Sequence, residues 1–403
     1  MRVCIAERQA CAAESEPLSE TRAGGRTLTG VIVLGVVNHS VLAGSRVVVS
    51  LDALAMGATA WTVGVLLALY AFLPMLLAVA AGRLSDRVGA RPPMIMGTVA
   101  IIVGAVLPFA LSGLGSLFVC ATLVGAGFMI FQVAAQNATG ELGEPAERAK
   151  NFSLLALGYS VSGFIGPLVA GFAIDHSGFP ATFALFAALS LVPYVVLASG
   201  RLALPGRDPA NAGAQHGGVR VLLRHRTLRR VFAINALLAV GWDLHTIFVP
   251  IYGAQLGLSA SAIGAVLSAF AAATFIVRFA MPAIARRVGE HRVLTGALLI
   301  AGLAYLAFPF AQGVFTLLAI SFFLGLGLGS GQPMVMALLH THAPPGRMGE
   351  AAGVRMSLVQ SIAVAVPLVF GALGTSIGLA PVLWSVGACL ATGGIWSRRA
   401  RSV

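Results

Sequence analysis

The stretch Gly82-Arg83-Leu84-Ser85-Asp86-Arg87-Val88-Gly89-Ala90-Arg91 decides how the rest of the chain reads. It places three arginines and an acid in ten residues, yet the runs on either side, 61–82 and 93–111, contain no charged residue at all. Each run has about 20 residues, the length at which an α-helix crosses a hydrocarbon core of about 30 Å. The charged stretch is therefore a short connection between two membrane-spanning helices. Within it, Gly82 offers no side chain and lets the end of one helix pack tightly, while Gly89 permits a sharp reversal. Asp86 falls at the membrane edge, where it can accept hydrogen bonds from arginines or from a helix N-terminus.

Working outward, the same pattern recurs along the chain. Twelve apolar runs follow one another: 28–50, 61–82, 93–111, 116–137, 151–174, 180–199, 231–252, 260–281, 293–311, 315–338, 351–375 and 381–397. They are too long and too unalternating for barrel strands, so the expected fold is an all-α membrane protein with 12 transmembrane helices. Composition agrees. The 403 residues are 58% hydrophobic and 10% charged, with mean hydropathy +0.91, far too little charge to cover a water-soluble surface of this size. The net charge of +12 comes almost wholly from arginine, with Lys150 the single lysine. Because these charges sit in short gaps between apolar runs, they suit anionic lipid and topology rather than nucleic acid.

Charge placement sets the orientation. Of the 26 Lys and Arg residues, three (Arg46, Arg278 and Arg355) fall inside predicted spans. All the others fall in the termini and the even-numbered connections, and none in the odd-numbered ones. The positive-inside rule then places both termini in the cytoplasm, in an inner (cytoplasmic) cell membrane. The expected organisation is a flexible cytoplasmic tail over 1–27, a six-helix bundle over 28–199, a cytoplasmic linker over 200–230, a second six-helix bundle over 231–397 and a short tail over 398–403. The linker is rich in glycine and then in arginine, as suits a flexible segment with a basic interfacial end.

The two bundles align at a constant shift of 200 residues. Gly125 and Gly127 match Gly325 and Gly327, Gln132 matches Gln332, and Pro167 and Gly171 match Pro367 and Gly371. Val88-Gly89 matches Val288-Gly289, and Gly178 matches Gly378. A duplication of this kind predicts two bundles related by a pseudo-two-fold axis and rocking about a central site.

The motif Gly82, Asp86, Arg87, Gly89, Arg91 resembles the signature loop of the major facilitator superfamily (MFS), in the place where that family carries it. With twelve spans and the repeat, the resemblance extends over nearly the whole chain. It implies alternating access in a monomer. It also implies that Asp86 joins the two halves by contacting the region Glu350–Gly353, and that the spans 28–50, 116–137, 231–252 and 315–338 line a central cavity. The second copy of the loop has Pro282 and Arg286 where the first has Gly82 and Asp86. Gly166-Pro167 in the fifth span resembles the glycine–proline motif of family exporters, although Ala170 replaces the first of its paired final glycines.

Polar residues inside spans need a cavity or a partner. The first span carries Asn38, His39 and Arg46, and its repeat equivalent carries Asn235, Trp242, Asp243 and His245. Position 46 corresponds to 246, so Arg46 and Asp243 are expected at similar depth, as an ion pair across the bundles. Asp243 is the first candidate for a proton-coupling acid and His39 the second; a purely structural ion pair is the alternative. Gln132, Gln136 and Gln332 could bind substrate or simply join helices. Tyr70, Tyr159 and Phe131 could wall the cavity, whereas Asp175 and His176 read as solvated loop groups.

No metal site is expected, since Cys4, Cys11, Cys120 and Cys389 form no cluster. Nothing resembles a nucleophile motif, a phosphate-binding loop or a nucleotide-binding domain, so an enzyme is not expected. The expected function is proton-coupled export of small organic molecules, drugs or metabolites, with no cofactor beyond the proton gradient and with lipid as the solvent. The alternatives are an importer of a small organic anion using Arg46, and a non-transporting receptor or scaffold.

Overall fold

Large apolar side chains cover the outside of this molecule, with Phe315 87% exposed and Phe279 78%, a surface that hydrocarbon accepts and water does not. The computed structural model describes residues 2–142, 148–204, 226–342 and 348–399. The side chains of 2–24 and of several motif residues, Gly82, Asp86, Gln332 and 350–353 among them, lie outside that description. Among the described residues every regular element is helical. In order these are α1 (Arg2–Ala55), α2 (Ala60–Val88), α3 (Arg91–Ala110), α4 (Leu114–Glu141), α5 (Arg148–Ala198), α6 (Arg226–Gln255), α7 (Ala260–Val288), α8 (Glu290–Ala307), α9 (Val314–His342), α10 (Met348–Ile377) and α11 (Leu379–Arg399).

Among the described residues, eleven helices are long and apolar enough to cross a membrane, where the sequence predicts twelve spans. The difference lies in α5. Its 51 residues would measure about 77 Å as one straight rod, more than twice the hydrocarbon core. It is not one rod. Gly178 stands inside it at φ 78, ψ 174, a backbone that L side chains rarely adopt and glycine does. Pro180 follows and suits the first turn of the second part. At the other end of the chain, α1 begins at Arg2, so helix occupies the segment expected as a flexible tail; its Ala, Glu and Arg residues are strong helix formers. Of the expected linker, 205–225 lies outside the described residues, and α6 already contains Arg226, Arg229 and Arg230.

Local geometry recurs at the 200-residue spacing. Gly89 and Gly289 have φ 78 and 82, Gly178 and Gly378 have 78 and 83, and Gly57 and Gly257 have 81 and 70. Just after the last pair, Thr59 Oγ1 accepts from the Thr62 N–H, and Ser259 Oγ accepts from the Ala262 N–H. Each hydroxyl caps the start of the next helix, α2 and α7.

The helices before and after the undescribed segment meet along two seams, α5 on α7 and α2 on α10. A Cβ added to Gly64 would lie 3.2 Å from the Pro367 carbonyl carbon and 3.3 Å from the Gly371 Cα. One added to Gly264 would lie 3.2 Å from the Pro167 carbonyl carbon and 3.4 Å from the Gly171 Cα. Both seams thus rest on backbone against backbone, with a side chain at neither glycine. The α5–α7 seam continues through polar contacts: Ser268 Oγ donates to the Phe164 carbonyl at 2.8 Å, and Arg278 Nη1 donates to Ser160 Oγ at 2.8 Å.

Asp175 corrects the sequence reading. It is exposed, but it is not merely a solvated loop acid: its carboxylate accepts from the Ala260 N–H at 3.0 Å and the Ser261 N–H at 2.8 Å. It therefore caps the N-terminus of α7 from α5, satisfying two donors that a helix start leaves orphaned. His176 instead stacks on Phe172 within its own helix, ring centroids 3.9 Å apart.

The tight seam makes a stability prediction. Gly264→Val places new carbons against an immovable backbone and should lower the melting temperature in detergent by several degrees, an overpacking cost of about 1–3 kcal/mol. Gly163→Ala, whose methyl would meet nothing nearer than the Ala271 Cβ at 3.8 Å, should melt like the parent. Equal melting of both variants would refute the close contact.

Candidate functional site

A cavity of about 330 Å³ lies where α1, α2 and α4 face α6, α9 and α10. Helical spacing selects which residues reach it. From α1 come His39, Leu42 and Arg46, and from α6 come Asn235, Leu238, Ala239, Trp242 and Asp243, each set one face of a helix at steps of three and four. α10 adds Arg355, Val359, Gln360 and Ala363, α4 adds Phe128 and Gln132 among others, and α2 adds Tyr70, Ala71 and Pro74. The lining is mostly apolar, with few charges.

Of the residues singled out in the sequence, His39, Arg46, Gln132, Asn235, Trp242 and Asp243 line this cavity. Asn38 does not. It is fully buried and donates through Nδ2 to Thr98 Oγ1 at 2.9 Å, so it joins α1 to α3. Gln136 lies outside the lining, and the side chain of Gln332 lies outside the described residues. Phe131 is fully buried beside Ala134 and Met94; Phe128, one turn away, is the phenylalanine that reaches the cavity.

His39 lies in the cavity wall, hydrogen-bonded to Ser162 Oγ and tilted against the rings of Phe128 and Tyr159 at 5.0 and 5.1 Å. Its counterpart His245 faces away, stacked on Phe270 at 4.4 Å and hydrogen-bonded to Ser321 Oγ at 3.1 Å. Asp243 and His245 therefore point to different sides of α6, and it is the acid that reaches the cavity. Arg46 lines the cavity together with both His39 and Asp243. Among the described residues it does not form the expected ion pair with Asp243. Its guanidinium lies 5.5 Å over the Tyr70 ring, and its Nε has no hydrogen-bond partner.

Two residues escaped the sequence reading. Arg355, 9% exposed, lines the cavity from α10; its Nη1 approaches Asn235 Oδ1 at 3.5 Å, and its Nε has no partner. Gln360 lines the cavity from the same helix. The sequence showed that position 355 lay within a span, but 351–375 was not counted among the cavity-lining spans.

At the loop after α2, Arg87 is exposed and Gly89 reverses the chain. Arg91 donates to the carbonyls of Gly200, at 3.2 Å, and Leu202, so a motif cation sits at the end of α5, where free carbonyls favour positive charge. The expected contact of Asp86 with 350–353 falls outside the described side chains. In α5, a Cβ on Gly166 would meet the Gly44 backbone N at 3.0 Å, while the Pro167 carbonyl faces Gly264. The glycine–proline pair thus packs α5 against α1 on one side and α7 on the other.

This architecture has known relatives. The family model for the Major Facilitator Superfamily matches residues 31–366 and 231–402, and the chain belongs to that family: it is a multi-pass membrane transporter. It is 27% identical over 352 residues to the class G tetracycline resistance protein of Vibrio anguillarum, covering 81% of this chain and 84% of that one. It is 27% identical over 350 residues, with the same coverage, to the class C tetracycline resistance protein of Escherichia coli. A shorter match, 34% over 95 residues and 24% of this chain, is to the 4-hydroxybenzoate transporter PcaK of Pseudomonas putida. Among solved structures, a peptide transporter POT in complex with sulfate superposes with a TM-score of 0.78 at 16% identity, covering 94% of both chains. A point mutant of the nucleoside transporter NupG superposes with 0.76 at 12% identity, covering 92% of this chain and 99% of that one. These likenesses establish the fold.

The Asn38–Thr98 bond is expected to couple in stability. A double-mutant cycle with Asn38→Ala and Thr98→Val, read by thermal unfolding in detergent, should give a coupling of about 0.5–1.5 kcal/mol. Additive effects would mean that the two side chains do not interact.

Proposed function

We propose that this chain is a secondary active transporter of small organic molecules, coupled to protons and working by alternating access around the cavity between α1, α2, α4, α6 and α10. The observation that carries this reading is the cavity itself: mostly apolar walls, one acid and two arginines. On this reading the two parts of α5 count as separate spans, giving twelve helices in two six-helix bundles related by a pseudo-two-fold axis. The recurrence of turn glycines and of both seams at a 200-residue spacing supports that symmetry. The Gly89 end of the bundle, with its arginines, is the cytoplasmic end, in an inner membrane, and the active unit is a monomer.

Asp243 is the proton site. A carboxylate in a low-dielectric cavity changes its proton affinity as water enters or leaves, which is what a carrier exposed alternately to two sides requires. Arg46 lines the same cavity and is the cation that a charged Asp243 faces there. The direction of coupling follows from the charge of the cargo. A cation competes with the proton for Asp243, so cargo and proton are exchanged. An anion binds better once Asp243 is neutral, so cargo and proton travel together. Export is the direction favoured by the relatives whose names carry tetracycline resistance, because a resistance transporter must move its compound out of the cytoplasm. Uptake of an organic anion is the second reading, and Arg46 and Arg355 favour it.

Proteoliposomes test both. A screen of labelled small organic molecules, tetracycline first, under an imposed pH gradient should find one that accumulates. Asp243→Asn should then abolish gradient-driven accumulation while leaving exchange of cargo across the membrane. If that variant responds to the pH gradient like the parent, Asp243 has no part in coupling.

A further inference from the structure

The cavity holds more cationic hydrogen-bonding capacity than the protein uses. Arg46 reaches it from α1 and Arg355 from α10, helices on opposite sides of the undescribed linker. Both Nε atoms are buried and have no hydrogen-bond partner. Arg355 has one long contact, to Asn235 Oδ1 at 3.5 Å, and the Nδ2 of Asn235 is also buried without a partner. Arg46 lies over a ring rather than on a carboxylate. Among the described lining residues, Asp243 is the single acid against two arginines.

A guanidinium removed from water is costly unless its planar fork is filled. Buried donors of this kind are ordinarily satisfied. The neutral amide of Asn235 cannot supply the missing charge, and Asp243 can neutralise at most one of the two cations. The group that completes the set is a planar or tetrahedral oxyanion, which accepts bidentately from arginine. The remaining walls state the rest of the cargo: Trp242, Phe128, Leu238 and Val359 offer aromatic and apolar area. A cavity of about 330 Å³ is at the small end of the range that encloses a ligand of modest size.

We infer that Arg46 and Arg355 form an anion cradle, and that the cargo is a small amphiphile with one carboxylate-like group and a flat apolar body. This rests on the transporter reading above and names the class of its cargo. Because the two arginines belong to different halves of the chain, an anion between them ties those halves together at the cavity.

The test uses three matched probes on the full-length protein in detergent: 2-naphthoate, the neutral 2-naphthamide and the cationic 2-naphthylmethylammonium. Binding is measured by calorimetry, and flux of each probe is measured in proteoliposomes. The carboxylate is expected to bind at least about tenfold more tightly than the amide, a difference of about 1.4 kcal/mol, and the ammonium more weakly still. Arg355→Gln and Arg46→Gln should each erase that preference while leaving amide binding intact. Arg355→Lys, which keeps the charge but loses the fork, should fall between, and monodispersity in detergent shows that the variants are folded. Equal binding of carboxylate and amide, or preference for the ammonium, would overturn the cradle. Carboxylate preference that survives both arginine variants would also overturn it. Flux of amide or ammonium without carboxylate preference would leave the transporter reading standing and the cradle refuted. Carboxylate-selective binding lost in the arginine variants, with no flux of any probe, would uphold the cradle and count against transport.

Discussion

A helix in hydrocarbon satisfies its own backbone and leaves every polar side chain to find a partner or a cavity. That constraint sorts this molecule's polar residues into two sets. One set is closed between helices. Asn38 bonds Thr98, Tyr70 bonds Ser45 at 3.0 Å, His245 bonds Ser321, and Ser268 bonds a carbonyl of the facing helix. The other set is open. Arg46, Asn235 and Arg355 each keep a buried nitrogen without a partner, and all three line the same cavity. Of the six buried polar atoms without a partner among the described residues, three thus belong to this cavity; the others, Asn38 Oδ1, the Tyr159 hydroxyl and Ser190 Oγ, are on residues outside its lining.

The seams give those walls a way to move. At Gly64 and Gly264 one helix lies on another with no side chain between, so at these points the contact is smooth backbone rather than interlocked knobs. Smooth contacts of this kind allow rigid halves to rock, as the proposed alternating access requires. The two seams differ at one end. Asp175 clamps the start of α7 with two charge-assisted bonds, while the start of α2 is capped from within by Thr59. At the corresponding place on α10, the Thr375 hydroxyl bonds its own helix, to the Gly371 carbonyl at 3.1 Å. Among the described residues, a carboxylate crosses this end of one seam and a hydroxyl bonded within its own helix stands at the matching place on the other, so the two seams are held unequally at that end.

Helices were legible in the sequence because hydropathy and length state them directly. All the apolar runs form helix, and the repeat announced which glycines recur at turns. Run counting gives two spans within α5, 151–174 and 180–199, and the non-helical backbone of Gly178 falls between them. The cavity was half legible. Asn235 and Trp242 on one helix, and His39 and Arg46 on another, share faces that spacing alone reveals; Asp243 and His245 flank the first face on opposite sides, and only the structure selects the acid. Asn38 misled because polarity within a span does not say which neighbour it meets, and Thr98 lies 60 residues away. Arg355 was visible as a charge within a span. Its importance depends on α10 presenting that face to the cavity, which no local pattern encodes. Asp175 escaped for the same reason: its partners are backbone amides 85 and 86 residues on, and backbone leaves no mark in a sequence.

The cavity's charges constrain one another more than they constrain any single step. Arg46 and Asp243 line one cavity with no ion pair between them among the described residues, so each is open to a third charge. A proton on Asp243 leaves two unopposed arginines, and an oxyanion on the arginines leaves an acid relieved of its cationic neighbour. On the proposed reading these are the same event described from two sides: each ligand increases the affinity for the other by an equal factor. A cationic cargo would invert the relation, competing with the proton for Asp243 and meeting repulsion from both arginines. The sign of the cargo's charge therefore sets the direction of coupling, and an arginine that came from a span not counted as part of the cavity, Arg355, tilts that sign toward the anion.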